Sequence, residues 1–189
     1  MIRLFIAAAA LVVSPLSSLA QQLELKGLSP GMAKEALNTK MPDLKCVPDA
    51  ASKSYSECKY LRQSIHQANV TELNTLAEEL VESWSFEFID DRLGRIVIIL
   101  PISSFDAVVS ALRIKFGAPT KSGKSIVQNR MGAKFESRQF TWSKNQQMLV
   151  ATEFAGSLDD SAVVLLNQHY LNNLKRPANE EGRRRSKDI

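Results

Sequence analysis

The stretch Ser83-Trp84-Ser85-Phe86-Glu87-Phe88-Ile89-Asp90-Asp91-Arg92-Leu93-Gly94-Arg95-Ile96-Val97-Ile98-Ile99-Leu100 decides the fold. Trp84, Phe86 and Phe88 alternate with Ser83, Ser85 and Glu87, which is the two-residue period of a strand with one buried and one wet face. Asp90-Asp91-Arg92-Leu93-Gly94 supplies turn formers, and the β-branched run 95–100 returns along the first strand. A β-hairpin is expected here.

Downstream the period lengthens. Phe105, Val108, Val109, Leu112 and Phe116 fall on one face of a helix over 103–116. Ser103 and Asp106 have the spacing of a capping box, Gly117 suits the left-handed C-terminal position, and Pro119 stops the helix. Strand-like segments follow near 134–142, 147–154 and 161–167, with turns near 143–145 and 155–157. Upstream, Ser29 can cap a helix with Pro30 at its first position, and Pro42 ends it after Met41. Residues 71–81 fit either a helix or a short strand. Each half thus reads as a helix followed by strands, a repeat of about 80 residues. The expected fold class is α+β, an antiparallel sheet packed by helices in two tandem helix–three-strand modules.

The chain has 189 residues, 44% of them hydrophobic and 23% charged, an ordinary globular composition. Residues 1–20 read as a secretory signal. Arg3 provides the positive end, 4–13 the apolar run, and Ser18-Leu19-Ala20 the small residues before cleavage. The expected organisation is a signal peptide over 1–20, a first module with a disulfide loop over 21–101, a second module over 102–174, and a basic, flexible tail over 175–189. Cys46 and Cys58 are too far apart for a Cys-x-x-Cys redox pair and too few for zinc. In an exported chain they are expected to form a disulfide, pinning a loop rich in turn formers. The expected location is the periplasm or the extracellular medium.

The net charge is +4, yet residues 21–174 hold 17 basic and 17 acidic side chains. No nucleic-acid partner is expected of a neutral body. The excess lies in the tail, where Arg183, Arg184, Arg185 and Lys187 are candidates for binding an anionic surface. Residues 118–125 match a relaxed phosphate-loop pattern, but they follow a helix and contain Pro119. No nucleotide is expected there, and the segment reads as a polar interdomain loop. His66 and His169 are isolated, and Asp90-Asp91 and Asp159-Asp160 read as turns. No catalytic, cofactor or metal residues are assigned. Of the aromatic set Trp84, Phe86, Phe88, Phe135, Phe140 and Trp142, most are expected in the core.

Three stretches carry a family resemblance: Gly31-Met32-Ala33-Lys34-Glu35, Phe88-Ile89-Asp90-Asp91-Arg92-Leu93-Gly94-Arg95-Ile96, and Phe116-Gly117-Ala118-Pro119-Thr120. They resemble the BamE/SmpA outer-membrane assembly lipoproteins and the wider β-lactamase-inhibitor-protein-like superfamily. The resemblance implies helix-plus-three-strand modules over most of 28–167 that work by binding proteins, and it transfers no catalytic residues. The assembly lipoproteins carry a lipidated cysteine where this chain has Gln21. The functional expectation is a non-catalytic protein-binding module of the bacterial envelope or periplasm, with an unidentified envelope or secreted protein as partner. The alternatives are a periplasmic enzyme with a dispersed active site, and a membrane- or polyanion-associated protein acting through its basic tail.

Overall fold

The computed structural model describes residues 22–41, 44–49, 52–61 and 72–173. The elements in chain order begin with helix α1 (Lys34–Lys40) and strands β1 (Lys45–Asp49) and β2 (Ser52–Leu61). A small hairpin of β3 (Thr75–Leu76) and β4 (Glu79–Leu80) leads into β5 (Ser83–Ile89) and β6 (Arg92–Pro101). Helix α2 (Phe105–Phe116) and strands β7 (Lys121–Gln128), β8 (Lys134–Lys144), β9 (Gln147–Thr152) and β10 (Asp160–Asn167) follow. The chain is helical again over 168–173.

Eight strands form one sheet in the order β1-β2-β5-β6-β10-β9-β8-β7, and each neighbouring pair is antiparallel. The fold is α+β. Each half is a four-strand meander preceded by a helix, and the halves join where β6 pairs with β10. The expected three strands per half are therefore four in the main sheet, among the described residues. The extra strand in the second half is β7, which also corrects the reading of 118–125 as a loop. Its residues are exposed on both faces apart from half-buried Val127, so no burial imposes alternation on Lys121-Ser122-Gly123-Lys124-Ser125.

Alternation puts the core on one face. A continuous cross-strand row runs Cys46, Cys58, Phe86, Ile96, Leu165, Leu149, Trp142 across seven strands. From Cys58 to Trp142 every member of it is buried. Phe105, Val108, Val109 and Leu112 of α2 and Leu37 of α1 cover this inner face. Each large side chain so buried contributes roughly 1.5–3 kcal/mol. Trp84 and Trp142 are both interior, and each indole N–H donates to a backbone carbonyl, of Leu73 and Gly117 respectively. Of the aromatic set, Phe140 is half-buried and Phe135 stands at the edge of exposure, at 36%.

The expected helix start at Ser29 is displaced to Lys34. The Gly31 and Lys34 amides donate instead to the carbonyls of Leu93 and Asp91, and Leu93 N–H donates to Met32. Pairing with the start of β6 thus claims the backbone that Ser29 would have capped, and Gly31 takes φ 98° in the turn. For α2 the capping box does not form. A 3₁₀ turn over Ile102–Ser104 precedes the helix, Ser104 Oγ donates to Glu79 at 2.7 Å, and Asp106 pairs with Arg138. Gly117 ends the helix at φ 84° as expected.

Four tight turns place two consecutive residues at positive φ: Lys26-Gly27, Ala77-Glu78, Asp90-Asp91 and Asn145-Gln146. Their twist matches that of paired strands, which explains hairpins this short. The ambiguous segment 71–81 resolves, over its described residues, into a 3₁₀ turn at Glu72–Asn74 and the β3–β4 hairpin. Residues 22–28 enter the inner layer, where Leu23, Leu25 and Leu28 are buried and Leu23 N–H donates to Gln147 of β9 at 2.8 Å. The start of the described chain thus closes the core of the second half.

The Cys46–Cys58 disulfide forms. The cysteines face each other across β1 and β2, so the expected pinned loop is a crosslinked hairpin. The bond closes a short chain segment, and its reduction should lower stability by about 2–3 kcal/mol. Denaturant unfolding with and without reductant measures this, and a Cys46→Ser/Cys58→Ser variant should match the reduced protein.

Candidate partner-binding surface

Both helices lie on the inner face, so among the described residues only the helical turn over 168–173 approaches the outer face of the sheet. One outer row runs Lys45, Lys59, Ser85, Val97, Val164, Val150, Thr141, Lys121 from edge to edge. A neighbouring row runs Ser83, Ile99, Ala162, Thr152, Gln139. The face is thus apolar at its centre and polar or basic at its margins. Val97, Ile99, Val150 and Val164 are half-buried, which suits a surface completed by contact.

The third outer row holds a buried polar cluster. Glu57, Glu87, Arg95, Leu166 and Met148 succeed one another across the strands. The Glu87 carboxyl accepts from Arg95 at 2.6 Å and from the Tyr170 hydroxyl, and Tyr55 also bonds to it. Tyr170 reaches it because the strand register slips between Glu87 and Phe88, leaving Gly94 as the extra residue opposite them. An added Cβ at Gly94 would overlap the Tyr170 ring. A side-chain-free bulge therefore seats the ring, and the ring and its hydroxyl tie the turn over 168–173 to the sheet.

Burial, then the neighbouring Glu87, pushes both Tyr55 and Tyr170 above the ordinary tyrosine value of 10. Their raised values in the folded state contribute stability that is present below pH 10 and lost as pH rises beyond it. Ultraviolet titration should show Tyr55 and Tyr170 resisting ionisation until the fold opens. Glu87→Gln should bring both closer to the ordinary range.

A second polar junction fixes α2 to the sheet. Arg138 on β8 pairs with Asp106 at 2.9 Å and with Glu153 at 2.7 Å, and its guanidinium lies over the Phe105 ring. The hydrogen bond from Arg138 is the main cause holding Glu153 below the ordinary value of 4.5. A depressed carboxyl stabilises above the unfolded pKa and loses that contribution as pH falls through the folded one. Glu153→Gln should therefore flatten the fall in stability below about pH 4.5, followed by denaturant midpoints across the acid range.

The outer face was not among the residues singled out by sequence reasoning, because half-buried valines in a central strand read as core. His169 is exposed and bonded to Asn173, whereas His66 lies outside the described residues. The tail candidates Arg183, Arg184, Arg185 and Lys187 also lie outside the described residues. Asp90-Asp91 forms the β5–β6 turn, and Asp160 opens β10 with Ser157 bonded to its carboxyl. Two shallow cavities lie among the described residues. One of about 310 Å³ lies between the β8–β9 turn and Gln168, and one of about 190 Å³ lies between Leu25, Leu76 and α2. Neither gathers the candidate residues. No protein-family model, no curated protein and no solved structure matches the chain.

Proposed function

We propose that the protein is an exported, non-catalytic protein-binding module of the bacterial cell envelope or periplasm, composed of two tandem helix–strand modules. The observation that carries this reading is the outer face, open among the described residues, with an apolar centre of Val97, Ile99, Val150 and Val164 ringed by polar and basic side chains. Hydrophobic contact supplies affinity at such a surface and its rim supplies selectivity. The same topology in each half, a helix and then a four-strand meander, supports a tandem origin. The disulfide fits an oxidising compartment, and the signal-like first twenty residues fit export. The resemblance to the assembly lipoproteins and the inhibitor superfamily points the same way, although Gln21 departs from the lipidated pattern.

Crosslinking in intact cells, affinity capture and mass spectrometry test the reading, with the full chain beside a form ending at Ala178. The expected result is the same small set of envelope proteins with both forms. A Val164→Lys substitution should weaken capture about tenfold without altering the melting temperature. Capture that disappears with the tail would transfer the function to Arg183, Arg184, Arg185 and Lys187. Turnover of an envelope substrate, abolished by a single polar substitution, would replace the binding reading with an enzymatic one.

A further inference from the structure

The two edges of the sheet are built differently. β1 is five residues long, contains Pro48, breaks register beside it, and is crosslinked to β2. Short length, proline and irregular register are the devices that stop an edge from pairing with another chain. β7 has none of them. Its eight residues pair with β8 in unbroken register, contain no proline, and are exposed apart from half-buried Val127. Among the described residues no strand pairs with its far side, which presents main-chain donors and acceptors in alternation.

Charge is also segregated here. From residue 107 to 135 the chain carries six basic side chains and no acidic one, although the body as a whole is neutral. Lys115 and Lys124 are paired with Glu24 and Glu136, while Lys121, Arg130 and Lys134 are exposed with no ion pair among the described residues. The β7–β8 hairpin extends past the end of β9, because β9 pairs β8 only from Gln139 onward. Its tip is held by Asn129, whose side chain accepts from the Met131 and Ala133 amides. Ile126 is 65% exposed and Met131 93% exposed along this arm.

We propose that β7 is a docking edge for an extended, acidic segment of a partner protein, which adds to the sheet as a ninth strand. This rests on the reading of the chain as a protein-binding module and specifies the partner's chemistry. The alternation of donors and acceptors along an edge is matched by another peptide backbone. Phosphate-bearing surfaces only accept, so they would satisfy the lysines and leave the edge carbonyls facing anionic oxygens. Lys121 and Lys124 would repel a second copy of the same strand and attract an acidic one. Exposed Ile126 gives an incoming apolar residue a contact beside the charges.

Amide exchange and ¹⁵N spectra of the full chain test the proposal with defined probes. These are a peptide about ten residues long repeating Glu-Glu-Val, which places carboxylates on both faces and is enough to span β7, its Lys-Lys-Val counterpart, and the acidic peptide interrupted by proline. The expected result is slowed exchange and shifted resonances over 121–128 with the first peptide alone. A Lys121→Glu/Lys124→Glu variant with an unchanged melting temperature should bind it about tenfold more weakly. Equal binding of the proline-interrupted peptide, or shifts that avoid β7, would overturn the proposal. So would phosphatidylglycerol vesicles or duplex DNA protecting β7 where the peptide does not, or protection that rises with protein concentration alone. Crosslinks from captured partners separate the two readings. Partners joined around Val164 with β7 untouched would sink the edge and keep the module. A β7 that takes the peptide while cells yield no partner would sink the module and keep the edge.

Discussion

The structure depends on the pairing of β6 with β10. Seven residues on each strand are matched, from Arg95 opposite Leu166 to Pro101 opposite Asp160. Each is the last strand of its half, and each is the most apolar strand there. Separated, either half would expose a long, flat, hydrophobic edge that invites misassociation. Joined, they place Ile96, Ile98, Val163 and Leu165 at the middle of one continuous core. The chain's first described residues strengthen this union, because Leu23 bonds to Gln147 in the far half.

The central pair also determines the outer surface. β-branched side chains that bury one side of these strands leave Val97, Ile99 and Val164 on the other. With both helices committed to the inner layer, only the turn over 168–173 approaches the outer side among the described residues. That turn is held by a specific device, in which a bulge at Gly94 admits the Tyr170 ring and Glu87 receives its hydroxyl. The buried carboxyl is satisfied from three directions, which is the condition under which such a group is tolerated in a folded protein. It makes the outer face polar at one end and apolar at its centre.

What could be read from sequence follows where burial is one-sided. The 83–100 hairpin, the helix ended by Gly117 and the three later strands all alternate or repeat clearly, and all were legible. β7 was not, since Lys121-Ser122-Gly123-Lys124-Ser125 serves an edge with two wet faces and carries no period. The start of α1 was misplaced because Ser29-Pro30 is a good local cap, and a tertiary bond from Gly31 to Leu93 outweighs it. The capping box at Ser103 failed for a similar reason, as Ser104 and Asp106 found partners on β4 and β8. The outer face was invisible because Val97 and Val164 have the same identity whether a layer covers them or not. The Glu87 cluster joins residues 83 positions apart, a separation no local pattern reveals.

Net charge misleads in the same way as local pattern, by averaging. Equal numbers of acidic and basic residues over 21–174 describe a neutral body, yet the acids avoid the entire span from 107 to 135. Screening limits the reach of each charge to about 8 Å at physiological ionic strength, so a partner meets the local sum and not the total. On β7 that local sum coincides with unpaired main-chain polarity and with the absence of any proline or bulge. Lysine on an edge strand protects against chains like itself, and the protection is selective by sign. A guard built from positive charge alone admits negative strands, so a single composition serves both as a barrier to self-association and as a criterion for a partner.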